Sequence, residues 1–244
     1  MLTIKCLGTG KGATNFLTGR PSTAYVLCRD GAPVLLMDCG AGVGRSLMAE
    51  VGDDLPRHIY ISHNHSDHTG DLPVYMANQH AQTGIPIELY GHADVLSFVA
   101  KHRLHELDHA GHPAAQSALW HAADAENCLV AAGLRLRLFK TEHSYLCYGF
   151  VAQDARTGAP VLGWSADCRY DLAIYDRITQ APVVILHARA EQSQEHASFD
   201  EVDAHAQHHP DTAFYVAHHD ISDHVFRAPN VTFLQAGMDI TLIP

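Results

Sequence analysis

Short apolar segments that resemble strands alternate along this chain with amphipathic segments that resemble helices. The strands predicted from this pattern are Leu2–Leu7, Ala24–Cys28, Val34–Met37, His58–Ile61, Ile87–Tyr90, Leu134–Phe139, Tyr148–Ala152, Val161–Trp164, Val183–Leu186, Ala213–Ala217 and Val231–Leu234. The predicted helices are Gly44–Val51, Asp71–Thr83, Ala93–His105, Asp171–Ile178 and Ser198–His208. This alternation predicts a layered α/β protein, and the short turns between the first strands predict a mixed sheet.

The size of the chain fits one hydrophobic core. It has 244 residues, 47% of them hydrophobic, and no Pro/Gly/Ser-rich linker divides it, so we expect a single domain over residues 1–244. Apolar runs such as Ala181 to Leu186 have the length of a strand and are far shorter than the roughly 20 residues of a membrane-spanning helix, so we expect no membrane span. The Ala/His-rich connector Leu107–Asn127 is interpreted as a lid or a short helical insertion.

The charge balance argues against a nucleic-acid-binding surface. Sixteen Lys and Arg against 27 Asp and Glu give a net charge of −11, which opposes docking on a long polyanion. The six cysteines form no CxxC pair, and the first residues, MLTIKCLGTGKG, read as a strand running into glycines rather than as a secretion signal. We therefore expect reduced thiols and a cytoplasmic location.

Histidine is the residue type whose abundance stands out. There are 20 histidines, and the strand His58–Ile61 leads directly into Ser62-His63-Asn64-His65-Ser66-Asp67-His68-Thr69-Gly70-Asp71. Imidazoles and carboxylates are ligands for first-row metal ions, and a turn that leaves a strand can direct alternate side chains into one cleft. A metal site is therefore favoured over a solvated polar loop.

The segment HNHSDH followed by Thr69-Gly70 resembles the HxHxDH signature of the metallo-β-lactamase superfamily. The resemblance implies a four-layer αββα sandwich in which two mixed sheets are flanked by helices, and it extends to the ribonuclease Z-like, phosphodiesterase-like branch. The other segments that carry it are Gly8-Thr9-Gly10, Met37-Asp38-Cys39-Gly40, Thr141-Glu142-His143-Ser144, Ser165-Ala166-Asp167-Cys168-Arg169 and Tyr215-Val216-Ala217-His218-His219.

The resemblance implies a site for two divalent metal ions, with Zn²⁺ favoured and Mn²⁺ or Fe as alternatives. His219 is a rival for His218, because neighbours on a strand face opposite ways, and motif register favours His218. Cys168 is interpreted as a small buried side chain rather than a ligand. The implied ligands are His63, His65 and His143 for one ion, Asp67, His68 and His218 for the other, and Asp167 as the bridge.

A further pair of segments resembles the paired "HEAT" and "HST" elements of ribonuclease Z-like phosphodiesterases. His187-Ala188-Arg189 matches the first element and His196-Ala197-Ser198 the second. By this resemblance His196 is a catalytic histidine that protonates the leaving oxygen. Ala188 stands where the glutamate that orients this histidine would be, so Glu191 or Glu195 is a candidate replacement. The alternative for His196 is a surface histidine at a helix N-terminus.

Together these features predict a dinuclear metal-dependent hydrolase. A metal-bridging hydroxide, oriented by Asp67, would attack a small phosphodiester, such as a cyclic nucleotide or a short activated ester. Only 24 residues separate His143 from Asp167, which leaves no room for the tRNA-binding arm of ribonuclease Z, so the expected partner is a small-molecule substrate rather than structured nucleic acid.

Two other functions stay open. One is hydrolysis of a lactone, thioester or β-lactam on the same site, and the other is a catalytically decayed protein that binds metal and acts in binding or sensing. Members of the superfamily often pair, so a homodimer is one arrangement to expect. The role of a stripe of histidines at helical spacing is also open, with a solvent-facing helix favoured over a second metal site: His102, His105, His109 and His112.

Overall fold

The structure is a computed structural model that describes residues 1–124, 126–219 and 223–243. In these residues the strands β1 to β15 are, in chain order, Leu2–Gly8, Ala24–Arg29, Ala32–Met37, His58–Tyr60, Glu88–Gly91, Leu119–Ala122, Cys128–Ala131, Leu134–Lys140, Tyr148–Asp154, Pro160–Trp164, Val183–Arg189, Ala197–Ser198, Ala213–Ala217, Val231–Phe233 and Asp239–Ile243. The helices α1 to α9 are Thr14–Thr18, Val43–Val51, Ser66–Thr69, Leu72–Thr83, Ala93–His102, His105–His109, Pro113–Gln116, Leu172–Ile178 and Phe199–Gln207.

The strands form two mixed sheets. The first has the order β15-β1-β2-β3-β4-β5-β6, and the second has the order β14-β13-β11-β10-β9-β8-β7, with β12 paired to β11. In each sheet the antiparallel hairpins give way to parallel strands, as in the parallel pairing of β3 with β4 and of β10 with β11. Helices α2 and α5 pack against the first sheet, and helices α8 and α9 pack against the second. The expected four-layer arrangement of two mixed sheets flanked by helices is confirmed.

The core lies between the two sheets and is rich in large aromatic side chains. Tyr60 of the first sheet meets Phe150 and Trp164 of the second at ring-centroid distances of 5.1 and 5.8 Å. These three side chains are at most 1% exposed. Burial of this much apolar surface, at about 25 cal/mol per Å², fixes how the two sheets face each other and so aligns the sheet edges that carry the polar residues.

All the strands and helices predicted from the sequence are present, with ends shifted by at most three residues. Sequence reasoning missed the two-residue strand β12, the short helices α1 and α3, and the strands β6, β7 and β15, which lie at sheet edges. The alternation that predicts a strand is weak there, since three of the four residues of β6 are exposed. The helix predicted over Ala93–His105 ends at His102, because the chain turns to bury Leu104 before α6 begins.

The connector Leu107–Asn127 contains α7 and β6 and closes one edge of the first sheet through parallel pairing of β6 with β5. Residues 143–167 form the hairpin of β9 and β10. Within the described residues, every helix is too short or too polar to cross a membrane.

Candidate metal centre

The loop that holds the HxHxDH signature begins where β4 ends, and helix α3 begins at Ser66 inside it. The loop packs tightly on the turn after β3. A Cβ atom placed on Gly40 would overlap the carbonyl oxygen of Asp67, and the backbone N–H of Cys39 donates to the carbonyl of His68 at 2.8 Å. Glycine at position 40 is therefore needed for this close approach.

Five histidine side chains converge on a single carboxylate oxygen, Oδ2 of Asp167. Their Nε2 atoms lie 3.5 to 3.9 Å from it, and three of the five come from the second sheet or the loop beside it. Asp167 itself follows β10 and is 1% exposed. The five histidines are His63, His68, His143, His196 and His218.

The remaining two expected ligands lie in the same cluster. Oδ2 of Asp67 is 3.8 Å from Nε2 of His68 and 3.9 Å from Nε2 of His218. Nδ1 of His65 is 3.4 Å from Nε2 of His143. The structure thus brings together all seven residues of the expected ligand set, which we call the metal centre: His63, His65, Asp67, His68, His143, Asp167 and His218.

The side chains of the metal centre fit a metal ion. Nε2 of His63 and Nε2 of His68 are buried and have no hydrogen-bond partner among the described residues, which is costly unless another group satisfies them. Ligand atoms within 4.8 Å of one another form two overlapping groups that share Asp167, as a bridging carboxylate would. The first group is His63, His65, His143 and Asp167, and the second is His68, Asp167, His187 and His218.

Asp38, from the turn after β3, orients two of the ligands. Its Oδ2 accepts from Nδ1 of His68 at 2.6 Å and from Oγ of Ser62 at 2.7 Å. Since the Ser62 hydroxyl has only one proton, it accepts from Nδ1 of His63 at 3.0 Å. Both imidazoles therefore carry their hydrogen on Nδ1 and turn Nε2 toward the cluster, the orientation that a hydrogen-bonded carboxylate gives to a ligand histidine in metal sites.

His143 is oriented in the same manner by the main chain. Its Nδ1 lies 3.2 Å from the carbonyl oxygen of Glu195, an atom that only accepts, so Nδ1 carries the hydrogen and Nε2 has the free lone pair. The sequence offered no signal for this contact, because it joins residues 52 positions apart through a backbone atom.

His187 at the end of β11 positions Asp167, and sequence reasoning assigned it no role. Its Nε2 accepts from the indole Nε1 of Trp164 at 3.2 Å and lies 3.0 Å from the Tyr25 hydroxyl. Because Nε2 is the acceptor, Nδ1 bears the hydrogen and donates to Oδ1 of Asp167 at 2.8 Å. His187 falls within a ligand group by distance, but both of its nitrogens are occupied by protein partners.

The electrostatics of the cluster are dominated by burial and by Asp167. Burial alone would raise the pKa of Asp167, but the imidazoles of His218 and His68 and the hydrogen bond from His187 outweigh it and hold the pKa well below its usual value. Burial lowers the pKa of His63 well below its usual value, so its imidazole is neutral, the form that binds metal.

His68 has the opposite shift. Burial would lower its pKa, but the carboxylates of Asp167, Asp38 and Asp67 surround the ring and raise its pKa well above the usual value. The same carboxylates that favour positive charge on His68 also favour a metal cation beside it.

Backbone conformation decides between His218 and His219. His218 follows the last residue of β13 with a φ of +64°, a left-handed conformation that interrupts the alternation of the strand and directs its ring into the cluster. The ring of His219 packs on Phe233 at 4.8 Å, and its backbone N–H donates to the carbonyl of Thr9. Asp38 and Ala166 also have positive φ, at +62° and +49°.

His196 lies within the cluster, and no carboxylate among the described residues orients it. Its ring stacks on His218 at 4.9 Å, and its Nδ1 is buried with no hydrogen-bond partner among the described residues. The Glu195 carboxylate comes within 4.8 Å without such a bond, and no such bond to Glu191 is found either. Burial, with Arg189 as a further cause, lowers the pKa of His196 to about 4.

Arg189, the last residue of β11, extends a guanidinium group into the metal centre. Its Nη2 lies 3.1 Å from Nε2 of His218, and its Nε is buried with no hydrogen-bond partner among the described residues. Sequence reasoning missed it, since an arginine one residue after the unmatched Ala188 carries no motif signal. A cation that always stays charged thus lies beside a cluster of histidines and carboxylates.

The histidine stripe predicted between positions 102 and 112 is not one helix face. His102 ends α5, His105 and His109 bound α6, and His112 precedes α7, where its Nδ1 accepts from the backbone N–H of Ala114. Within the described residues these four histidines form no ligand group.

Comparison with known proteins agrees with this fold. The ribonuclease Z of Halorubrum lacusprofundi is 33% identical over 165 residues, which cover 63% of this chain and 48% of that protein; the chain thus matches about half the length of that relative. The metallo-β-lactamase fold protein YhfI from Bacillus subtilis superimposes with a TM-score of 0.77 at 19% identity, covering 98% of both chains. A diphosphatase from the PhnP family superimposes with a TM-score of 0.73 at 14% identity, covering 99% of this chain and 98% of that one.

These similarities establish the metallo-β-lactamase fold, as the HxHxDH resemblance implied. The model of one protein family, described as "Anti-Pycsar protein Apyc1", matches residues 2–235. This chain therefore belongs to the Apyc1 family of anti-Pycsar proteins.

Proposed function

We propose that this protein is a dinuclear, zinc-dependent phosphodiesterase that acts on a small phosphodiester, such as a cyclic nucleotide. Two divalent ions held by the metal centre would supply an activated water at neutral pH and neutralise charge on the phosphate. His63, His65 and His143 would hold one ion, Asp67, His68 and His218 the other, and Asp167 would bridge them.

The observation that favours a phosphodiester substrate is the position of the Arg189 guanidinium, whose Nη2 lies 3.1 Å from Nε2 of His218. Arginine presents a fork of donors suited to phosphate oxygens, whereas a neutral lactone or thioester offers no charge to complement it. The guanidinium and a metal ion cannot share the single lone pair of Nε2. When His218 acts as a ligand, Arg189 is therefore available to an anionic substrate.

His196 is proposed to deliver a proton to the leaving oxygen. It stacks on His218 within the cluster, and an anion bound beside it raises the pKa of an imidazole. Since no carboxylate among the described residues holds Nδ1, ring packing and burial orient this histidine. Asp67 is proposed to orient the attacking water, since its Oδ2 lies between His68 and His218.

A substrate panel tests the proposal. Bis(p-nitrophenyl) phosphate, a 3′,5′-cyclic nucleotide, a phosphomonoester, a homoserine lactone and a thioester are each assayed with Zn²⁺ and with Mn²⁺. We expect turnover of the two phosphodiesters. Preferred turnover of the lactone or thioester would overturn the substrate assignment, and inactivity on every substrate with metal bound would favour a binding or sensing role.

Two variants sharpen the test. Arg189→Met should raise KM for phosphodiesters about tenfold or more, the loss of about 1.4 kcal/mol or more that one charge-assisted contact provides, and Arg189→Lys should restore part of it. The cyclic nucleotide has a poor leaving group and bis(p-nitrophenyl) phosphate a good one. His196→Ala should therefore lower turnover of the cyclic nucleotide more than turnover of bis(p-nitrophenyl) phosphate. Equal effects of His196→Ala on the two substrates would contradict its role as a proton donor.

A further inference from the structure

A second cluster of ligand-type side chains lies outside the metal centre, on the helix layer that covers the second sheet. Asp176 of α8, His205 of α9 and His209, just beyond the end of α9, each offer one ligand atom within 4.8 Å of the others. We call these three residues the helix-layer cluster. They line a surface cavity of about 230 Å³ together with Tyr170.

His205 is the buried member of the helix-layer cluster and lacks a partner. It is 3% exposed, and its Nε2 is buried with no hydrogen-bond partner among the described residues. The ring packs against Tyr175 at 5.2 Å and Phe214 at 6.0 Å, neither of which satisfies that nitrogen. A buried polar atom left unpaired is unfavourable, so the site favours a group that would bind Nε2.

The two histidines are spaced as a helical metal-binding pair. His205 and His209 are four residues apart, their ring centroids are 4.5 Å apart, and the rings are inclined by 31°. Residues at i and i+4 share one helix face, the spacing that places two imidazoles on one zinc ion in helical zinc sites. The turn continues past α9, since His208 keeps a right-handed helical conformation.

Asp176 supplies the third donor from the neighbouring helix. Its Oδ1 is 4.0 Å from Nε2 of His209, and its side chain is 57% exposed. Zinc bonds of roughly 2.0–2.1 Å place tetrahedral ligand atoms about 3.4 Å apart. The Asp176–His209 distance would have to shorten by about 0.6 Å and any other distance in the cluster by at most about 1.4 Å, which the exposed Asp176 and the partly exposed His209 allow.

We propose that Asp176, His205 and His209 form a second, structural zinc site that joins α8 to α9, with water completing the tetrahedron. Two imidazoles and a carboxylate are a donor set that zinc favours. Helix α8 follows Asp167 and helix α9 follows His196 along the chain, so the ion would tie together two helices whose starts adjoin the metal centre. This site is independent of the phosphodiesterase proposal.

Zinc content and thermal stability test the site. Full-length protein and its His209→Ala and Asp176→Asn variants are loaded with Zn²⁺, passed through gel filtration and analysed by mass spectrometry for zinc per chain. We expect each variant to hold one ion fewer than the unsubstituted protein, and the rise in Tm on zinc addition to be smaller in both. His208→Ala is the matched control, because His208 lines the same cavity outside the helix-layer cluster, and it should retain the full zinc content.

His209 is partly exposed and Asp176 is exposed, so the His209→Ala and Asp176→Asn variants should fold. Circular dichroism checks that they do. Equal zinc content in the unsubstituted protein and both variants would overturn the helix-layer site. That outcome would not affect the phosphodiesterase proposal, because the substrate panel measures hydrolysis at the metal centre.

Discussion

His187 donates a hydrogen bond from Nδ1 to Oδ1 of Asp167 at 2.8 Å, while the other carboxylate oxygen, Oδ2, faces the histidines of the metal centre. One oxygen thus holds the carboxylate in place, and the other is available to a bound metal ion. Residues that hold a metal ligand by a hydrogen bond contribute about 10- to 100-fold to metal affinity.

We therefore expect His187→Leu to lower metal affinity by about 10- to 100-fold although no proposed ligand is removed. His187→Gln should recover part of the loss, because its amide can donate to Asp167 and accept from Trp164. Competition with a chromophoric chelator measures both affinities. Unchanged affinity in the leucine variant would show that Asp167 is positioned without His187.

The second prediction concerns Asp38, which sets the orientation of His68 and, through Ser62, that of His63. Asp38→Asn replaces an acceptor by a donor at one oxygen and should lower metal affinity by about 10- to 100-fold. Asp203→Asn is the matched control, since Asp203 is also buried but accepts from the backbone N–H groups of Arg227 and Ala228.

The control should destabilise the fold by about 1–3 kcal/mol and retain its metal ions. Metal analysis and urea unfolding separate the two effects. Loss of metal from both variants to the same extent would mean that general destabilisation, rather than ligand orientation, explains the result.

A third prediction separates His218 from its neighbour. His218→Ala should remove a ligand and lower metal content, whereas His219→Ala should retain metal content and lose stability through its packing on Phe233. Metal analysis of both variants is the measurement. The reverse pattern would show that motif register misplaced the ligand by one residue.

The fourth prediction tests the packing under the signature loop. Gly40→Ala places a methyl group against the backbone of Asp67 and should cost about 1–3 kcal/mol of unfolding free energy, with loss of metal. Gly44→Ala is the control, because a Cβ there meets only Oδ2 of Asp71 at an ordinary 3.5 Å. In helix α2 it should stabilise by about 0.5–1 kcal/mol, as urea unfolding would show; equal stability of the two variants would contradict the argument.

Local sequence pattern was sufficient for the regular parts of this fold. Strand β8 alternates buried leucines with exposed arginines, a period that only a half-buried strand explains. Edge strands such as β6 lack that alternation, because solvent reaches most of their side chains, and they depend on pairing with residues far along the chain.

The grouping of the seven predicted ligands could be anticipated from the sequence, because their motifs follow strands whose ends the fold brings to one edge. The supporting contacts were not accessible. Arg189, the Glu195 carbonyl and the Trp164 indole act through pairings of distant residues, and none of them forms a motif. The left-handed backbone conformation of His218, which directs its ring into the cluster, is likewise a property of the folded loop.

The metal centre draws His63, His65, Asp67 and His68 from the first sheet's side and His143, Asp167 and His218 from the second. Neither half of the chain alone can assemble a full coordination shell. A metal ion bound there would therefore act as a clasp between the two sheets, and chelation should weaken their docking.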